Sequence, residues 1–334
     1  MPRTRRVDCS GPGLRRVRRG RGFSYHEDDG ARIDDPAVVE RINDLAIPPA
    51  WDDVWICADP RGHVQATGID AAGRKQYRYH DAYRAAQERA KYERLLEFGR
   101  GLPKLRRRAA GHLRLGPYER EWACAIAIGV VNKTWFRVGS ERHARSARTY
   151  GVTTLRKRHV SVSGDEITFR FRAKNRKLVR RSISNAALAK GVDALLDLPN
   201  GSRLLRFERD DELVALTAPM LNDYIADNLA PDYTAKDFRT WGGTLLAAKE
   251  LARRGPAESE TGANRALATV MRRVGEELGN TAAVARASYV SPLVVDHYLA
   301  GRTLEDFRSA NGSGPRRLSA SERALVSLLK SPVV

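Results

Sequence analysis

Cysteine is scarce in this chain of 334 residues, and the three present, Cys9, Cys57 and Cys124, are odd in number and far apart. No C-x-x-C pair occurs, which argues against structural zinc and a disulfide framework and points to a reducing compartment, with cytoplasm as the expected setting. No apolar run is long enough to span a bilayer, and no lipidation signal or amphipathic basic helix is visible. The N-terminus, MPRTRRVDCSGPGLRRVRRGRG, is basic but has no apolar signal core. A Gly-rich phosphate loop ending in Lys-Ser/Thr is also missing, so nothing points to nucleotide hydrolysis. Acidic side chains are the scarcer charge, 40 Asp and Glu against 59 Lys and Arg, for a formal net charge of +19. An excess of that size spreads a positive field over much of the surface, and its natural polyanionic partner is nucleic acid.

With 42% hydrophobic residues the chain can bury a sizeable core, and its length fits two domains. Residues 1–22 read as a basic, flexible tail, with a nucleic-acid-binding arm as the second reading. From Gly22 to about Ala90 turns and aromatics dominate. RGHVQATG reads as extended and KQYRYH alternates as a strand does, so residues 23–95 are expected to form a small β-rich domain. AYRAAQERAKYERLLEFG turns helical, with Tyr83, Ala86, Ala90, Leu95 and Leu96 near one face. The domain boundary is expected near residues 90–104, punctuated by Gly101 and Pro103. Residues 96–334 read as mainly helical. EREWACAIAIGVVNKTWF is an apolar helix with Trp122, Ile126 and Val130 along one stripe. HVSVSGDEITFRFRAKNRKLVRRS reads as three strands joined by a Gly-Asp turn and an AKNR turn. TAKDFRTWGGTLLAAKELARRG opens with Thr234 and Asp237 as a capping box and turns Phe238, Leu245 and Leu251 inward. NRALATVMRRVGEELGN is a further helix, stopped by Gly279. The expected class is α+β: a β-rich N-terminal domain and a mainly α-helical domain carrying a small three-stranded antiparallel sheet.

Several polar residues stand at the ends of these elements rather than along solvated faces. Arg137 follows its helix, Lys174 sits on the hairpin tip, Arg239 lies one turn into its helix, Asn280 follows a helix stop, and Tyr289 closes the stretch LGNTAAVARASYVSP. Singly, each has an ordinary structural use: a surface or phosphate-neutralising arginine, a solvated lysine, a capping asparagine, a packed tyrosine. The acidic pairs Asp28-Asp29, Asp34-Asp35 and Asp210-Asp211 form no carboxylate cluster. His63, His112, His159 and His297 have no metal spacing, so no metal or other cofactor is expected.

The order and local wording of these residues carry more than any one of them. RVGSERHARSARTYGVTTLRKRHV, AKDFRTWGGT, GNTAAVARASYVSP and GRKQYRYH together resemble the compact, poxvirus-like type IB DNA topoisomerases, in the branch found in bacteria. The resemblance covers roughly Ile47 to Gly301. It implies two domains that clamp duplex DNA, and a tyrosine that attacks a backbone phosphate to leave a 3′-phosphotyrosyl link and a free 5′-hydroxyl. It further implies relaxation of supercoils of both signs without ATP or a required metal, by a monomer working at the nucleoid.

Carried over by motif, the resemblance makes Tyr289 in SYVSP the nucleophile, and Arg137 in FRVG and Arg239 in KDFRTWGG the phosphate-gripping arginines. Lys174 in FRAKN becomes the general acid. Asn280 falls where the poxvirus enzymes carry histidine; asparagine can donate a hydrogen bond but cannot take positive charge. Arg74, Tyr77 and Tyr79 in GRKQYRYH are expected to face DNA, and Arg142, Lys236 and Arg286 to meet phosphates. The chemistry suits this set. Guanidiniums meet the charge gathering on the non-bridging oxygens, a phenol (pKa ~10) needs only modest activation by adjacent cations such as Arg286, and the basic leaving alkoxide needs a proton donor.

Two rival readings remain. A tyrosine site-specific recombinase shares the catalytic residue types, but typically places histidine three residues before the second arginine, where this chain has Lys236. A catalytically silent DNA-binding protein would not need all five positions filled.

Overall fold

The computed structural model describes residues 4–308 and 317–333, and the chain divides into two compact units, Met1–Glu93 and Arg94–Val334. The first unit holds β1 (Leu14–Arg19), β2 (Gly22–His26), α1 (Pro36–Asp44), β3 (Asp52–Ile56), β4 (Val64–Ile69) and β5 (Lys75–Tyr79). The strands form one antiparallel sheet in the order β2-β1-β3-β4-β5. Helix α1 starts where Asp35 accepts from the Ala37 amide and Pro36 supplies a preset φ. Its Ile42 packs with Leu14, Ile33, Val54, Ile56 and Ala66. Alternation then sends Trp55, Cys57 and Val64 to a second buried cluster, with Val7 and Cys9 against it.

Of the segment read as a flexible tail, residues 1–3 lie outside the described residues, and Leu14–Arg19 belongs to the sheet. Gly13 lacks the Cβ that would collide with the Trp55 indole, and the indole Nε1 donates to the Gly11 carbonyl at 3.0 Å. Further out, Arg5 exchanges backbone hydrogen bonds with Arg61 and His63. The strand's arginines are not simply solvated. Arg16 lies over the Phe23 ring and donates to the carbonyls of Ile47, Pro48 and Trp51. A charge count sees these guanidiniums as repelling, whereas the fold uses them as donors to loop carbonyls.

Helix α2 (Asp81–His112) is continuous through the expected boundary and contains Pro103. Gly101 is therefore not linker punctuation, and it shares another use with Gly99. A Cβ on Gly99 would come within 2.4 Å of the Trp241 ring, and one on Gly101 within 2.2 Å of Leu229, so both are close-approach positions. Leu95 is buried in this helix, but Ala86 and Ala90 are exposed, so the apolar face begins later than the periodicity suggests.

In the second unit α3 (Arg120–Thr134) is followed by α4 (Glu141–Ser146), then by β6 (Val160–Ser163), β7 (Glu166–Arg172) and β8 (Leu178–Ser184) in one antiparallel sheet. Next come α5 (Ala186–Asp197), the hairpin β9 (Arg206–Arg209) and β10 (Glu212–Ala215), α6 (Ala218–Asn228) and α7 (Ala235–Arg254). The chain ends with α8 (Glu260–Leu278), α9 (Ala282–Tyr289), α10 (Pro292–Leu299) and α11 (Ala320–Lys330). Both Asp210 and Asp211, in the β9–β10 turn, have positive φ, as a two-residue hairpin of the primed type requires.

Helix α3 buries not one stripe but nearly its whole circumference from Trp122 to Val131. It is the central helix of this unit, and continuous apolar sequence, rather than amphipathic spacing, is the mark of that position. Behind it, Arg106 pairs with the buried Glu322 of α11 at 2.6 Å, and the Trp241 indole donates to the same carboxylate at 3.3 Å.

Candidate active site

Four of the expected residues meet where α3, α7, α8 and α9 end or begin. The meeting point is built from three terminations. Helix α3 ends at Trp135, whose φ of 53° is left-handed, an uncommon conformation for a bulky side chain. That turn carries Arg137 away from the helix. The following loop is pinned by Val152 N donating to Arg137 O at 2.9 Å and Thr153 N to Val138 O at 2.7 Å. Gly151 is required here because a Cβ would lie 2.4 Å from the Arg137 carbonyl.

Helix α8 ends in a Schellman arrangement: Gly279 is left-handed, its amide donates to Glu276 O, and the Asn280 amide donates to Gly275 O at 2.7 Å. Helix α9 starts on the Thr281 cap and ends at Tyr289. Helix α7 starts on the Thr234–Asp237 capping box and presents Arg239 inward.

Arg239 is 4% exposed. Its guanidinium donates to the carbonyls of Trp135 and, at 2.9 Å, of Leu278, and its Cζ stands 5.0 Å from the centroid of the Tyr289 ring. Arg137 donates through Nη2 to Gly279 O at 3.1 Å and to Asn280 Oδ1 at 2.7 Å. Burial disfavours the charge on both arginines, and at Arg137 the neighbouring Arg239 adds to it. Neither has a carboxylate partner among the described residues, so a bound anion would relieve both.

Burial alone would raise the Tyr289 phenol. Arg239, by its charge and by hydrogen bonding, then Arg137 and Lys236, outweigh it and hold the phenol below its ordinary value near 10. These are the cations that act on the tyrosine; Arg286 is exposed on α9 and does not contribute.

Lys174 is exposed in the short turn between β7 and β8, where Asn175 and Arg176 take positive φ. It shares with Arg137 and Arg239 a cleft of about 200 Å³ that is also lined by Lys177, Glu277 and Leu278. The structure thus joins Tyr289, Arg239, Arg137 and Asn280 by contact and brings Lys174 to the same cleft. Lys236 is exposed in the first turn of α7, within electrostatic reach of Tyr289. Arg142 is exposed on α4.

In the first unit, Tyr77 and Tyr79 share one face of β5, 45% and 42% exposed, with rings stacked at 5.9 Å. Core packing is thus excluded for them. Tyr83 extends the stack at 5.7 Å. Arg74 is engaged with Asp70 at 2.6 Å, and that contact holds the Asp70 carboxyl well below the usual carboxylate range.

The residues that shape the site were not singled out from sequence. Gly242 and Gly243 let α7 approach. A Cβ on the first would meet the Trp135 indole at 2.3 Å, and one on the second the Tyr289 carbonyl at 2.7 Å. The Thr244 hydroxyl donates to Tyr289 O and accepts from Ser291 N, both at 3.1 Å. Small residues in consecutive positions of a helix, as in TWGGT, are the signal that could have exposed this contact.

Among the described residues no group of three or more His, Cys, Asp or Glu could hold a metal ion, and no helix is long and apolar enough to cross a membrane. Residues 22–70 match the family model for the N-terminal domain of bacterial DNA topoisomerase IB, and residues 80–294 the one for the catalytic core of eukaryotic DNA topoisomerase I. A protein of Acanthamoeba polyphaga mimivirus named DNA topoisomerase 1B is 32% identical over 295 residues, covering 86% of this chain and 87% of its own.

Proposed function

Because the chain belongs to the type IB DNA topoisomerases and is a type I topoisomerase, we propose that Tyr289 is its nucleophile and that it relaxes supercoils of either sign through a 3′-phosphotyrosyl intermediate. The observation that carries this reading is the Arg239 guanidinium lying over the Tyr289 ring, with Arg137 and Asn280 beside it. A phenol depressed by cations is a nucleophile already near its task, and the same cations then face the charge that develops on phosphorus-bound oxygens.

In the forward step the phenolic proton goes to solvent, the Tyr289 oxygen bonds to phosphorus, and the bond from phosphorus to the 5′-oxygen breaks. Arg137, Arg239 and the Asn280 amide hold the non-bridging oxygens, and Lys174 protonates the departing 5′-oxygen. The free end rotates. Religation reverses each step, with Lys174 receiving the proton. One phosphoester is exchanged for another, so ATP is not consumed, and the positive charge comes from side chains, so no metal is required. One chain supplies every group, which fits action as a monomer on nucleoid DNA. The β-rich residues 23–95 act as the clamp, with Tyr77 and Tyr79 against the duplex and Arg74, Arg142, Lys236 and Arg286 near its phosphates.

The test is relaxation of positively and negatively supercoiled plasmid in EDTA without nucleotide, with denaturant trapping of the adduct. Relaxation of both, with the DNA 3′ end on Tyr289, is expected. A requirement for both Mg²⁺ and ATP, or an adduct at another residue, overturns the reading.

A further inference from the structure

The face of the small sheet that carries Ile167, Phe169 and Phe171 is buried, and directly opposite Phe169 on β8 stands Arg181. A guanidinium on an inward apolar face is costly unless it is paired and hydrogen-bonded. Arg181 is both. It forms an ion pair with Glu277 on α8, the two side chains 24% and 17% exposed, and its Nη1 donates to the Thr134 carbonyl at 3.0 Å.

Those partners stand at notable places. Thr134 is the last residue of α3, just before the Trp135–Arg137 turn. Glu277 is one residue before Leu278, whose carbonyl Arg239 engages, and three before Asn280. The hairpin that carries Lys174 is thus tied by one side chain to the two helix ends that present Arg137 and Asn280. A second tie lies where β7 meets the turn, Tyr150 N donating to Arg172 O at 2.8 Å. Beyond Arg172, no hydrogen bond joins the turn from Ala173 to Lys177 to the rest of the protein among the described residues: Lys174 is exposed, and the Ala173 amide donates to the Lys177 carbonyl at 2.8 Å.

We propose that the Arg181–Glu277 pair positions the proton donor: it sets the tilt of the β7–β8 hairpin so that Lys174 reaches the leaving 5′-oxygen, without itself touching DNA. The inference rests on Lys174 being the general acid. It distinguishes Arg181 and Glu277 from the many exposed charged side chains of the chain, since both are turned inward and paired with each other. It also predicts a defect confined to one step, because Arg239 donates to the Trp135 and Leu278 carbonyls without the help of either member of the pair.

Single-turnover cleavage of a duplex with oxygen or sulfur at the scissile 5′ position separates the possibilities, because a thiolate leaves without protonation. Arg181→Met alone leaves Glu277 buried without its partner, so the double variant Arg181→Met/Glu277→Gln, neutral and close in shape, is measured beside it, with thermal melting and DNA affinity. On the oxygen substrate the double variant should lose about 10–100-fold, as a donor misplaced by an ångström does. On the sulfur substrate it should cleave nearly as fast as the parent, with DNA affinity retained. Equal loss on both substrates, or no loss on either, overturns the positioning role. Lys174→Ala is the control for the underlying assignment. If sulfur fails to rescue it, Lys174 is not the proton donor, and the positioning role falls with it. If sulfur rescues Lys174→Ala but not the double variant, only the positioning role is lost.

Discussion

Arg137 donates to the side-chain oxygen of Asn280 at 2.7 Å, so the two side chains are held in register before any DNA arrives. The asparagine orients the arginine, and of the two hydrogens on its Nδ2 one goes to the Leu278 carbonyl at 3.3 Å, which leaves the other to offer. Asn280→Ala is expected to slow cleavage by only about five- to tenfold, the worth of one neutral hydrogen bond. Asn280→Asp keeps the shape and the bond from Arg137 but sets a negative charge beside the scissile phosphate, and should lose about 10²-fold or more. Single-turnover cleavage of both variants tests the ordering; a milder defect for Asp than for Ala would remove Asn280 from the phosphate side of the site.

Arg239→Lys should be nearly as defective as Arg239→Ala, each losing about 10²–10³-fold in cleavage. The planar fork now spans the Trp135 and Leu278 carbonyls while covering the Tyr289 ring, and an ammonium cannot do all three. Recovery of most of the rate by lysine would mean that charge alone, not geometry, is used here.

The sequence made legible what depends on neighbours in the chain. The Thr234–Asp237 box, the Gly279 stop and the strand–turn–strand run from Val160 to Ser184 follow local rules, and the structure has them at those places. Strand β1 was not legible, because four arginines in six residues read as a solvated arm until loop carbonyls and the Phe23 ring are there to receive Arg16. Helix α3 was misread as one-sided because burial on all faces leaves no period to detect. The site is a case apart. Nothing in spacing says that residues 137, 239, 280 and 289 meet; family resemblance suggested it, and three helix terminations carry it out. Arg181 escaped notice because a charged residue on a strand is assigned to the outer face by default, and its partner Glu277 on α8 is as distant in sequence as the strand is from the helix.

Tyr77→Ala and Tyr79→Ala should weaken duplex binding while changing stability by no more than about 0.5 kcal/mol, since both rings are exposed. Cleavage at saturating DNA should be nearly unchanged, because neither residue is among the proposed catalytic groups. Binding isotherms and thermal melts of the two variants check this; a large drop in melting temperature would make the stacked rings a structural device instead.

Gly243→Ala tests the close approach of α7 to Tyr289. The added carbon would sit 2.7 Å from the Tyr289 carbonyl and 3.1 Å from its Cβ, with the Leu278 side chain at 3.1 Å. Backbone must shift, at about 1–3 kcal/mol of stability. The displaced element is the end of α9, so adduct formation should fall far more than DNA affinity. Unchanged adduct formation would show that Tyr289 is repositioned by DNA regardless of how α7 packs.

The pH dependence of cleavage reads the Tyr289 environment directly. On the sulfur substrate, where Lys174 donates no proton, the rate should rise with pH as the phenol ionises and level off above its pKa. Burial pushes that pKa up, and Arg239, Arg137 and Lys236 bring it down to below 10, so the parent inflection should lie below the free-tyrosine value. Arg239→Ala keeps most of the burial and removes the largest opposing cation, so its inflection should move to higher pH. Lys236→Ala, losing the last of the three, should move it less. The same shift has a stability signature of fixed sign. Between the native pKa and the unfolded value near 10 the unfolded chain holds the proton that the native state has released. The contribution of Tyr289 to stability therefore rises with pH across that window and is lost as pH falls through the native pKa. Tyr289→Phe should then melt like the parent at neutral pH and fall behind only in alkali. An inflection that stays put in Arg239→Ala would mean that the arginine over the ring serves the phosphate alone and leaves the nucleophile to be activated by the DNA-bound state.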